Sequence, residues 1–129
     1  MSTAPSYRDL ASDSGPLLAI HGRCERAGRY YALALVFSNG VMTLRCDGDT
    51  DEVLVTVDPE VPDGMTPVEQ EDDLSALEGM VVEYFWIMTN HRGYRDALQI
   101  RLLNLDSREE QTRQFEVAAS AMTVHRVTA

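Results

Sequence analysis

Residues 29–46, RYYALALVFSNGVMTLRC, decide the fold. Tyr31, Leu33, Leu35 and Phe37 recur at every second position, the period of a strand with one face toward a core. Asn39-Gly40 follows, a pair whose residues both tolerate positive φ, and VMTLRC returns at once. The stretch predicts an antiparallel hairpin, and the flanking chain repeats its grammar. Upstream, LLAIHGRCE from Leu17 reads as a further strand. Residues 1–14 are small and polar and are expected to form a flexible or loosely docked tail, which leaves 15–129 as one β-rich domain.

Downstream, DGDTD turns the chain into VLVTV, where Val53, Val55 and Val57 alternate with polar neighbours. Residues 58–73 hold Pro59, Pro62, Gly64 and Pro67 among seven acids: Asp58, Glu60, Asp63, Glu69, Glu71, Asp72 and Asp73. Proline removes ladder donors and like charges repel, so a solvated, mobile loop dispensable to folding is expected there. DDLSALEG predicts a short helix capped by Asp73 and stopped at Gly79. MVVEYFWIMT is apolar on both faces, the mark of a central strand. NHRGY turns the chain into DALQIRLLNL, and SREEQ leads to RQFEVAAS and AMTVHRV. The fold expected is mainly β (α+β at most), with about eight strands and one short helix. Short loops make it an antiparallel curved sheet, a sandwich or a partly open barrel. A faint echo of LLAIHG…ALALVF in LSALEG…DALQIRLL suggests a two-part layout.

Charge is distributed unevenly. Thirteen of the twenty-one acidic residues lie between Cys46 and His91, where there is no arginine; the flanks carry eight acids against eleven arginines, and the chain has no lysine. Such a chain, with a net charge of −10, is unsuited to nucleic-acid backbones and suited to a basic protein partner. No apolar run approaches the roughly 18 residues of a membrane helix. The N-terminal residues lack the basic start and apolar stretch of a secretory signal, so the cytoplasm is expected. In that compartment Cys24 and Cys46 are expected as reduced thiols inside the sheet.

Sites of chemistry are sparse. Asp47, Asp49 and Asp51 alternate as carboxylates do at the start of a calcium loop, but Glu52 stands where the loop needs glycine and both flanks read as strands, so a polar turn is expected. His21 and His125 have no partner at metal-ligand spacing, and no phosphate loop or nucleophile elbow occurs; neither metal nor cofactor is expected. Residues 86–100, WIMTNHRGYRDALQI, gather the candidates for binding: Trp86, Asn90, His91, Tyr94 and Asp96. Asp96 is in phase with Leu98 and Ile100, and a buried acid must find hydrogen bonds. It is expected to accept backbone N–H groups of the 90–94 turn; the alternative is a general acid or base beside His91 and Tyr94.

The segment Trp86, Thr89, Asn90, Gly93, Tyr94, Asp96, Leu98, Gln99, followed by Ser120 in a final pair of strands, resembles a family of small acidic bacterial proteins of unknown function. The chain departs from that pattern at Ala97 and Ala121, where the family has Gly and Ser. The resemblance covers the C-terminal half and implies no activity; by analogy it suggests an immunity-like protein that covers a toxin. The acidic surface expected to meet a basic partner comprises Asp47, Asp49, Asp51, Glu69, Glu71, Asp72 and Asp73. The rival expectation is a small-molecule-binding or enzymatic barrel with a pocket near His91, Tyr94 and Asp96.

Overall fold

The computed structural model describes residues 6–26, 28–68 and 74–127. Two four-strand meanders form it. The first is β1 (Leu17–Arg26), β2 (Arg29–Phe37), β3 (Gly40–Asp47) and β4 (Glu52–Asp58); the second is β6 (Val81–Thr89), β7 (Arg95–Leu103), β8 (Glu110–Ala118) and β9 (Ala121–Val127). A two-residue strand, β5 (Thr66–Pro67), lies between them in sequence and pairs with β1. The strands follow the order β4-β3-β2-β9-β8-β7-β6, with β1 also on β2, in one antiparallel sheet curled into a half-barrel. Among the described residues the two meanders are paired at one bridge, Tyr30 to Met122. Ile20, Leu33, Leu35, Met42 and Leu44 from the first and Leu98, Ile100, Leu102 and Phe115 from the second fill the concave face. The echo noted in the sequence is no structural repeat, since LLAIHG lies in β1 and LSALEG in a 3-10 turn at Leu74–Leu77.

The opening hairpin forms with its turn moved by one residue. Phe37 already pairs with Gly40, so the loop is Ser38–Asn39 rather than Asn39–Gly40. The register of β1 on β2 moves from Arg23–Ala32 to Cys24–Tyr30, which leaves Tyr31 as an extra residue. Such a bulge reverses the phase of the strand beyond it. Tyr30 therefore joins Leu33 in the core, while Tyr31, expected on the core face, is 44% exposed.

Three further expectations are corrected. Residues 7–12 of the supposed tail form α1 (Tyr7–Ser12), opened by a capping box in which Ser6 Oγ accepts from Asp9 N and the Asp9 carboxylate from Ser6 N. Leu10 is buried, Tyr7 packs 5.3 Å from the Phe85 ring, and α1 touches β3, β4 and β6. The helix thus fills the seam between the two edge strands that fail to pair. Gly40 makes room for it, since a Cβ there would stand 3.3 Å from Leu10 Cδ1. Buried Ser14 continues the seam, its Oγ accepting from Val82 N.

Secondly, β6 ends the sheet and is not central. Its two apolar faces have different causes: Phe85 and Ile87 pack on the core, whereas Tyr84 and Trp86 lie on the outer surface. Thirdly, the proline-rich loop is tied to the sheet as far as residue 68. Thr43 Oγ1 donates to Asp58 Oδ2, Pro59 to Val61 share a depression with Val36 and Val41, and Pro62 and Met65 do so with Ala32. β5 pairs with His21 and Gly22, Val68 N donates to Ile20 O, and the Val68 side chain is buried. Val68 belongs to the shared core with Ile20 and Leu33, while Ala32, Ala34, Val41 and Thr43 are buried on the convex side. Prolines lack one donor each but leave their carbonyls and rings to pack. Beyond this loop, Leu74 and Leu77 are buried in the 3-10 turn, which Gly79 ends at φ +83. The expected cap Asp73, with Glu69, Glu71 and Asp72, lies outside the described residues.

No disulfide joins Cys24 and Cys46. Cys24 is exposed, against expectation, and Cys46 is partly buried with Sγ 3.7 Å from Tyr30 O. Among the described residues no helix is long and apolar enough to cross a membrane.

Candidate functional site

The turn between β6 and β7 is built around Asn90. Its Oδ1 accepts from Arg92 N at 2.8 Å and Tyr94 N at 3.2 Å, and its Nδ2 donates to Asp96 Oδ2 at 3.1 Å. Asparagine commonly closes such a turn on its own backbone two residues on. Asp96 therefore holds the side chain that holds the turn, and does not itself take the turn's N–H groups as expected. Register explains its position: Thr89 faces Arg95 and Met88 faces Ala97, so Asp96 is an extra residue, partly buried and out of the ladder. His91, Arg92 and Tyr94 are exposed at the tip. None of the surface depressions described is lined by His91, Tyr94 or Asp96. An acid–base pair needs its partners within hydrogen-bond reach, and the contact found for Asp96 is an amide.

Three loops meet at this end of the half-barrel, held by carboxylates of the acidic stretch. Arg95 N donates to Glu52 Oε2 at 2.9 Å, and Ser120 N donates to Asp51 Oδ1 at 2.9 Å. Asp47 Oδ1 accepts from Asp49 N within its own turn. Asp51, Ala119 and Ser120 adopt left-handed φ of 53°, 53° and 64°. Glycine would take these conformations freely, so side chains there carry strain. Asp47 and Asp51 thus act as acceptors that shape two different loops.

The convex side of the second meander brings together a different set. Pairing places Tyr84 opposite Arg101, and sets Trp86, Gln99, Gln114 and His125 in one row across four strands. Tyr84 is 55% and Trp86 38% exposed, their rings edge to face at 6.1 Å. The Arg101 guanidinium stands 5.2 Å from the Tyr84 centroid and pairs with Glu83 at 3.8 Å. Gln99 Nε2 donates to Gln114 Oε1 at 2.6 Å, and Gln114 in turn donates to Glu116. His125 Nε2 lies 3.4 Å from Glu116 Oε2 and 3.0 Å from Thr123 Oγ1. Of these, sequence reasoning had singled out Trp86 for binding. The signal for the others was their period-2 position opposite the core residues Leu98, Ile100, Phe115 and Val117.

Arg113 was also missed. It is 1% exposed and shares the concave face with Phe115 and Val117. Its Nη1 donates to Gln111 Oε1 at 2.9 Å. A buried guanidinium is held by such bonds against a desolvation cost of several kcal/mol. The signal was arginine in phase with two core residues in RQFEV.

Burial, with the nearby Asp51 charge, pushes the Cys46 thiol up from 9.0 to about 11. A group so shifted stays protonated at neutral pH and makes a poor nucleophile. Among the described residues no three His, Cys, Asp or Glu side chains stand close enough to hold a metal.

No curated protein and no solved structure matches the chain. One family matches residues 5–129, nearly the whole length, and the chain therefore belongs to it: a Family of unknown function (DUF6334).

Proposed function

We propose that the protein is a cytoplasmic, non-enzymatic module that binds a protein partner across the convex face of the second meander. The observation that carries this reading is an inequality between two faces of one sheet. On the convex face of the first meander Ala32, Ala34, Val41 and Thr43 are buried and of the large apolar residues Leu54 stands out, whereas that of the second presents Tyr84, Trp86 and Arg101 to solvent. Trp, Tyr and Arg are the residues enriched where binding energy concentrates, and this trio is held rigid by strand pairing and ring contact. The chain's charge of −10 contributes by steering, which favours a partner of net positive charge. An immunity-like role would be one instance of this reading.

The test is capture of partners from lysate of the native host, with wild-type protein beside a Tyr84→Ala/Trp86→Ala double variant and a His91→Ala control. A partner retained by wild type and His91→Ala but lost by the folded double variant supports the reading. Equal retention by the double variant overturns it and returns attention to the 90–96 turn.

A further inference from the structure

We propose that the groove between α1 and β6 receives an extended acidic segment of a partner protein, its carboxylates held by Arg8 and Arg95 and one apolar side chain seated on Trp86. This rests on the binding-module reading and adds the chemistry of the partner.

Two adjoining depressions make the groove. One is lined by Tyr7, Arg8, Trp86, Thr89 and Arg95 among others, and its neighbour by Arg8, Ala11, Ser12, Val82 and Glu83. Arg8 and Phe85 belong to both, so the groove follows β6 from Val82 to Thr89. At about 3.3 Å per residue that is roughly 25 Å, the length of an extended segment of seven or eight residues. A small anion would occupy one end of it.

Charge selects what enters. Twenty-one acids face eleven arginines in this chain, yet among the described residues no ion pair involves Arg8 or Arg95. The Arg8 guanidinium lies 5.8 Å over the Tyr7 ring. Glu52 accepts the backbone N–H of Arg95 and forms no ion pair with its guanidinium, and Glu83 is engaged by Arg101. The groove is therefore a cationic strip in an anionic protein. Guanidinium forks match carboxylates in geometry, and the Thr89 hydroxyl can add a donor. Nucleic acid carries anions too, but its continuous charge is rejected by the molecule as a whole. A partner steered in by its basic surface can still lay one acidic segment here, which fixes orientation as well as affinity.

Trp86 is the only tryptophan, so its emission reports on the groove directly. The probe is a capped octapeptide of alternating Glu and Val, with a Lys–Val octapeptide and free glutamate as comparisons. A saturable emission change with the Glu–Val peptide alone is expected, and in R8Q/R95Q it should need about tenfold more peptide, the loss of two charge-assisted contacts. No saturable change, an undiminished response in R8Q/R95Q, or an equal response to free glutamate at matched carboxylate concentration overturns the proposal. Partner capture separates this failure from failure of the broader reading. If R8Q/R95Q keeps a partner that Tyr84→Ala/Trp86→Ala loses, the convex face is the docking surface and the acidic segment is wrong.

Discussion

The two meanders share strand number, pairing and a common core, and differ in what lies on their convex sides. The first places Ala32, Ala34 and Thr43 there, small and buried, with Asp58 accepting from the Thr43 hydroxyl. The second places Tyr84, Trp86, Gln99, Arg101 and Gln114 there, bulky and in contact through edge-to-face rings, a cation over a ring and the Gln99–Gln114 hydrogen bond. Side-chain size on one face of a strand thus decides whether the chain covers itself or leaves a surface open. In one half the convex face holds small, buried residues; in the other it stays open to solvent.

The largest expected effect lies in the proline-rich loop. Replacing residues 59–68 by a Gly-Ser linker of equal length should lower stability by about 3 kcal/mol, since Val68 joins the shared core and its burial alone is worth roughly 1.5–3 kcal/mol. Urea denaturation measures it, and an unchanged midpoint would mean the loop only rests on the sheet. On the open face the pattern should reverse. Tyr84→Ala/Trp86→Ala should weaken partner binding by about 2 kcal/mol or more. Its melting temperature should stay close to wild type, the sign of a surface not used for folding; a large fall would assign the aromatics to stability.

Smaller effects sharpen the account of the loops. Asn90→Ala removes the acceptor of two turn N–H groups and should cost about 1–2 kcal/mol. Asp96→Ala removes one bond to the Asn90 amide and should cost about half as much, while His91→Ala should stay within about 0.5 kcal/mol. Chemical denaturation of the three variants ranks them, and Asp96→Ala exceeding Asn90→Ala would restore the carboxylate as the centre of the turn.

The smallest effect concerns Cys46. Its folded pKa is raised, so its contribution to stability is complete below the unfolded value near 9 and is lost as pH rises through about 11. A thiol reagent at pH 8 should modify exposed Cys24 quickly and Cys46 only on unfolding. Two equally fast thiols would contradict the shift.

The fold class was legible because alternation in RYYALALVF and DALQIRLL is a local signal that the packing respects. What escaped reading has one physical character: a single inserted residue or a distant contact. Tyr31 and Asp96 are bulge residues, and nothing in the sequence marks where a ladder will slip. α1 is six residues long and is held by Leu10 and Tyr7 against strands far along the chain, so its own composition reads as a tail. Prolines and acids made residues 58–68 look solvated, although Val68 and the small convex residues of β2 offered the contrary signal. β6 read as central because two apolar faces look alike, whether the second meets protein or water. Of the candidate binding residues, Trp86 lies on the convex face with the groove beside it, while Asn90 and Asp96 are hydrogen-bonded to each other within the turn and His91 and Tyr94 stand exposed at the tip.

The helix in the seam sets an order of events during synthesis. Tyr7 meets Phe85 only after seventy-eight further residues have been made, and a six-residue helix cannot hold itself meanwhile. At 5–20 residues per second that interval is roughly 4–16 s. A segment made early is thus among the last to settle, and a bulky group attached ahead of Ser6 would act on the closing step of folding.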